Sequence, residues 1–254
     1  MPKFPLRWLA VWSRNALAWR KSIKTALLGG LAEPLFNLFA LGYGLGSFIG
    51  RVDGISYVAF LTAGMISVSA MNAATFEGLY LAYTRMAVAN TWDGMMASPL
   101  NVSDVVIGEL LWMATKSLIS SSLILLVASS FGLIASWQVL WVLPVAFLSG
   151  LCFGSMALVV TSYAQGYDFF VYYISLGVTP MIMLGGVFFP PTALPDIVRQ
   201  SSGCLPLYHV VELVRPLVAG RFDWPLLPHL LVPLAYALVS TLFAIWRFKR
   251  RLLR

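Results

Sequence analysis

The residues of this chain best able to do chemistry are charges set into apolar sequence. Glu33, Glu77, Glu109, Lys116 and Asp168 each stand inside or beside a long hydrophobic run. A charge in such a place is costly, so it marks either a proton or ion pathway or a buried pair. Glu33 falls near one end of the first run, Glu77 ends the second, Glu109 begins the third, and Asp168 precedes the fifth. Lys116, about two turns beyond Glu109, comes nearest a midplane. A proton-coupled carrier is expected to hold a carboxylate there, and this sequence offers no good one. The structural alternative is pairing of Glu33, Glu77 or Glu109 with Arg85 or Lys116. Catalytic sets are missing. The chain has no GxSxG, HExxH or CxxC, and none of its lysines follows a glycine, so it has no P-loop of its own. His209 and His229 read as isolated polar residues at a membrane boundary. No metal-ligand spacing and no catalytic residue is assigned. Cys152 falls within a span and Cys204 in a loop, so a disulfide is not expected.

The elements that must position these groups are transmembrane helices. Of 254 residues, 59% are hydrophobic and 11% charged, and mean hydropathy is +0.83. So little charge cannot cover a water-facing surface. The apolar runs are long and continuous, as spanning helices require, where a barrel would alternate. The fold class is therefore an all-α integral membrane protein. Net charge is +7, and the cations cluster at the two ends: Lys3, Arg7, Arg14, Arg20, Lys21 and Lys24, then Arg247, Lys249, Arg250, Arg251 and Arg254. Basic flanks are cytoplasmic flanks, so both termini are expected inside and the number of spans even. Attraction to anionic membrane lipid suffices for both tails, and no nucleic-acid partner is implied. The N-terminus lacks the pattern of a removable signal peptide.

Six spans are expected, at about 25–48, 55–76, 105–131, 138–163, 169–189 and 230–246. They form a permease-like core over 25–246. Residues 1–24 precede it as an amphipathic interfacial helix, with Trp8, Trp12 and Trp19 on one stripe and cations opposite. Residues 247–254 follow as a basic cytoplasmic tail. The segment 190–228 carries seven prolines and is too interrupted to span. It is expected outside, with a helix dipping back into the outer leaflet. There His209, Glu212 and Arg215 share one face and form a candidate outer gate. No internal repeat supports an inverted-repeat carrier.

The stretch TRMAVANTWDGMMASPLNVSDVVIGE, 84–109, is far longer than a simple connection between spans needs. Trp92, Met95 and Met96 make an apolar edge, Arg85 and Asp93 are polar, and Ser98-Pro99 breaks the helix. Ser103 or Asp104 can cap the next one. A short helix with an exposed aromatic and methionine edge fits a groove in a partner; a helix lying on the lipid surface is the plainer alternative.

The ordered set AVWSRNALAW, LAEPLFNLFALGYGLG, MNAATFEGLYLAYTRM, TWDGMMASPL, VVIGELLWMATK, TPMIMLGGVFFP and LPLYHVVELVRPL resembles permease subunits of bacterial ABC exporters of the second type, most of all those of the lipooligosaccharide (nodulation-factor) kind. The likeness runs over nearly the whole chain. It implies six spans, an N-terminal interface helix, a cytoplasmic coupling helix at about 84–100, and re-entrant outer helices between spans five and six. It also implies a homodimer in the inner membrane with two copies of a separate ATPase, which would hold the ATP and magnesium. On that resemblance Arg85, Trp92, Asp93, Met95 and Pro99 would seat in the ATPase, and Glu109 would brace the helix base. An aromatic and methionine lining, Phe36, Phe39 and Tyr43 on span one with Phe170, Tyr173, Met181 and Met183 on span five, would face an amphiphilic substrate. A secondary carrier or channel not coupled to ATP is the alternative.

Overall fold

The computed structural model of the chain describes residues 6–52, 54–134, 136–193, 195–220 and 226–252; the side chains of 24–31, 33, 34, 43 and 198 also lie outside the description. Expectations for Glu33, for the Tyr43 side chain and for the ends of both basic tails fall outside it.

Helix α1, Trp8–Arg20, leads into α2, Ile23–Gly44, and the one-turn α3, Gly46–Ile49. A two-residue ribbon pairs Arg51 with Ser56 and Val52 with Ile55. Helix α4, Tyr57–Phe76, continues through π-helical turns at Glu77–Leu81 and Thr84–Val88. After the short α5, Thr91–Met96, come α6, Val102–Ser130, and α7, Val142–Tyr163. The segment Asp168–Leu184 is α8, Asp168–Tyr173, a π turn, and α9, Thr179–Leu184. Helices α10, Asp196–Ser202, and α11, Pro206–Val218, precede α12, Leu227–Leu252.

Among the described residues four helices are long and apolar enough to cross a membrane: Tyr57–Val88, Val102–Ser130, Trp137–Tyr163 and Leu227–Leu252. Two boundaries differ most from the sequence reading. The second run does not stop at Glu77 but continues to Val88, because Arg85 is paired inside the protein and a wide turn absorbs the extra residue. The hydroxyl of Thr84 donates to the Tyr80 carbonyl at 2.7 Å within that stretch. The last helix runs to Leu252, so the basic residues from Arg247 continue it.

Helices α4, α6 and α7 make the core. Lipid offers no hydrophobic drive between helices, so close approach through small residues and polar cross-links must hold them. A Cβ on Gly150 would lie 2.5 Å from Cα of Ala114, so α6 and α7 touch nearly backbone to backbone. The Ser117 hydroxyl donates to the Ala70 carbonyl at 2.6 Å, and Thr161 to Gly78 at 2.8 Å.

Candidate functional site

At the α5 end of the bundle, three wide-spaced stretches converge on one buried ionic cluster. Helical spacing puts Glu77 and Arg85 two turns apart on one face of α4 and its extension. Glu109, Trp112 and Lys116 recur at i, i+3 and i+7 on α6. The Arg85 guanidinium fits between the two carboxylates. Its Nε donates to Glu109 Oε1 at 2.9 Å, Nη2 to Glu109 Oε2 at 2.5 Å, and Nη1 to Glu77 Oε1 at 2.9 Å. Lys116 Nζ stands 3.8 Å from the other Glu77 oxygen. Indole N–H groups complete the shell: Trp112 donates to Glu77 at 2.9 Å and Trp92 to Glu109 at 3.3 Å. Both carboxylates are buried, so only this dense pairing makes their charge tolerable. Pairing, the structural alternative in the sequence reading, is what the fold builds from Glu77, Glu109, Arg85 and Lys116.

The α5 turn hangs from this cluster. Asn90 takes a left-handed conformation, φ 48°, which Asn tolerates better than most residues, and the chain reverses there. Trp92 was expected on an exposed edge. It is fully buried instead, its ring 4.9 Å from that of Phe248 on α12. An indole of this size gains more by packing between helices than by facing out. Arg85 is likewise turned inward. Asp93 and Pro99 are exposed, with Val88, Asn90 and Ser98 beside them, and Met95 is half-buried. The next helix is entered through Asn101, whose N–H donates to the Asp104 carboxylate at 3.0 Å.

Helix α1 closes the same end. Its tryptophan stripe faces α6: Trp12 Nε1 donates to Thr115 at 3.0 Å, and the rings of Trp12 and Trp19 stand edge-on to Trp112 at 6.5 and 5.9 Å. Lys116 sits over the Trp19 ring at 4.9 Å. Gly108 permits the approach, since a Cβ there would fall 2.6 Å from Val11 Cβ and 2.7 Å from the Trp8 carbonyl. Arg7 Nη1 donates to the Pro99 carbonyl at 2.9 Å, tying α1 to the α5 loop. Arg14 loses some basicity to burial and to the nearby Arg85 charge, against the pull of Glu109. Sequence reasoning missed Gly108, Trp112 and Phe248. The first two had a signal: they lie on the α6 stretch beside Glu109, and Trp112 shares its face.

At the α11 end, the three candidate gate residues are not a water-facing stripe. His209 and Arg215 are buried and Glu212 is half-buried. Arg215 bonds Glu212 on its own helix, donates from Nη2 to the Gly186 carbonyl at 2.5 Å and lies 4.0 Å over the Phe60 ring. The two histidines, read as isolated, meet with Nδ1 atoms 3.0 Å apart. His209 Nε2 lies 2.8 Å from the Gly203 carbonyl, which can only accept, so that nitrogen carries a proton. The two Nδ1 atoms then share one hydrogen, one ring donating to the other.

The suggested lining divides. Phe36 and Phe39 are exposed on α2, with Phe39 edge-on to Phe131 at 5.2 Å. Phe170 and Met181 are buried in the protein core, Tyr173 is partly buried, and Met183 is exposed. Within one chain α2 packs on α4 and α6, while α8 packs on α7, so the two sets do not form one wall. Phe170 instead joins Tyr80, Tyr83 and Tyr167 in an aromatic cluster linking α8 to the α4 extension.

A bundle of apolar helices with a buried ionic cluster behind a short exposed turn defines a multi-pass membrane protein. Residues 7–218 match the family model of the ABC-2 type transporter, and the chain belongs to that family as a transporter membrane subunit. It is similar to proteins named Nodulation protein J: 48% identical to that of Bradyrhizobium diazoefficiens, covering 100% of this chain and 97% of the relative. It is 44% identical to that of Sinorhizobium fredii (100% and 97%) and 44% to that of Rhizobium leguminosarum bv. viciae (100% and 98%).

Proposed function

We propose that this chain is the permease of an ATP-driven exporter, working as two copies with two copies of a separate ATPase that carries ATP and magnesium. In this reading α2 and the segment Asp168–Leu184 join the four long helices as the remaining spans, and both termini face the cytoplasm of a bacterial inner-membrane protein. The cargo is an amphiphile of the lipooligosaccharide class, a reading supported by full-length likeness to proteins named for nodulation. Outward direction rests on the same likeness.

The observation that carries the mechanism is the rigid link behind the α5 turn. Asp93, Met95 and Pro99 present the surface on which the ATPase acts. Trp92 is the strut between that surface and Glu109, and the Arg85 cluster passes displacement to both α4 and α6. Buried, fully paired charges suit this role, because an interior that cannot rearrange cheaply moves as a unit. Closure of the ATPases then shifts spans two and five and opens a path between the two permeases.

Purification from the native membrane with mass spectrometry of associated proteins tests this. A stoichiometric P-loop ATPase is expected. A chain that purifies alone and transports without ATP would sink the exporter reading in favour of a secondary carrier.

A further inference from the structure

We propose that the corner between α7 and the last turns of α12 is a binding site for one anionic phospholipid. The guanidinium of Arg247 lies over the Tyr163 ring, Cζ 4.5 Å from the centroid, and that of Arg250 over Trp246 at 4.1 Å. Phe243 fills the space between, 6.4 Å from Tyr163 and 5.4 Å from Trp246, ring to ring. Tyr163, Phe243 and Trp246 are all exposed.

Stacking uses the face of a guanidinium and leaves its in-plane N–H donors free. Two such groups three residues apart on a helix are neighbours, a spacing suited to a phosphate. Among the described residues no carboxylate lies within ion-pair distance of either arginine. Arg251, one residue on, differs: its donors are spent on the carbonyls of Thr161, Ser162 and Ala164 that end α7. Arg247 and Arg250 are thus held in place but not neutralised.

The remainder of the site fits a lipid rather than a free anion. Val239 and Leu242 are exposed on the same face of α12, at 66% and 60%, toward the middle of the helix. From Arg250 to Val239 the helix rises about 16 Å, enough to carry much of an acyl chain below a headgroup held by the arginines. The aromatic rings fall between, at the level where amphipathic rings gather in a bilayer. This site does not depend on the chain being coupled to an ATPase.

Native mass spectrometry of the purified chain, titrated with phosphatidylglycerol or with phosphatidylcholine of the same acyl chains, tests the proposal. Wild type is expected to retain phosphatidylglycerol preferentially, and R247Q/R250Q to weaken it about thirtyfold with phosphatidylcholine unchanged. K249Q/R20Q removes the same charge from exposed positions outside the stack and is expected to behave as wild type. R247K/R250K keeps the charge, loses the planar stack, and is expected to lose most of the preference. Excess inorganic phosphate is expected to leave the lipid bound. Equal weakening by both glutamine pairs, full retention by the lysine pair, displacement by phosphate, or no preference over phosphatidylcholine would each overturn the site.

Discussion

Replacing Arg85 with methionine should be the most damaging conservative change at the ionic cluster. Methionine fills most of the same volume but leaves two carboxylates, at 2% and 0% side-chain exposure, without the cation that bridges them. Glu77 keeps Lys116 at 3.8 Å and the Trp112 N–H at 2.9 Å. Among the described residues Glu109 keeps the longer hydrogen bond from Trp92, 3.3 Å, and the more distant charge of Arg14. Removing one partner of a buried pair costs about 3–5 kcal/mol, because the remaining charge is desolvated and uncompensated. The Lys116 contact puts the expectation near the lower figure. The triple variant Arg85→Met, Glu77→Gln, Glu109→Gln removes the guanidinium and both carboxylates, leaves Lys116 with the Trp19 ring and its 17% exposure, and still offers each indole N–H an amide oxygen, so most of that loss should return. Equilibrium unfolding of the purified chain in detergent, followed by far-ultraviolet circular dichroism, measures both. If Arg85→Met costs less than about 1 kcal/mol, as an exposed pair would, the cluster is not the buried strut described above. The same holds if the triple variant is as unstable as the single one. The triple variant also separates stability from transmission: it should fold, yet couple ATP hydrolysis to transport poorly.

Two further outcomes are expected. Gly108→Ala places a Cβ 2.6 Å from Val11 Cβ and against the Trp8 backbone; α1 must lift, costing about 1–3 kcal/mol. Limited trypsin digestion should then cleave at Arg14 faster than in wild type, and unchanged protection would contradict the packing. Cys204 is exposed and Cys152 buried; a membrane-impermeant maleimide should label Cys204 on intact cells and leave Cys152 unlabelled until denaturation. Labelling of Cys204 only after the inner face is opened would reverse the proposed orientation.

Much of the helical architecture is legible in the sequence. The runs near 105–131 and 138–163 match α6 and the Trp137–Tyr163 helix within a few residues, since twenty apolar residues in a row have few other fates. The second run was cut short at Glu77 because a charge normally ends a span. Whether it does depends on what faces it, and Arg85, eight residues on, faces it across the next turns. Trp92 was misplaced for a related reason. An indole among Asp93, Gly94 and Met95 reads as an exposed edge, and nothing local reveals that Phe248 arrives from the far end of the chain to cover it.

Membrane class, helical type and the basic character of the ends follow from hydrophobicity and charge, which are properties of each residue where it stands. The choice of partners is not such a property. Arg85 meets Glu109 across 24 residues, Trp112 meets Glu77 across 35, and His209 meets His229 across 20. Desolvation makes each of those groups demand a partner, but many candidates could satisfy the demand. Packing of α4 against α6, and of α11 against α12, selects among them.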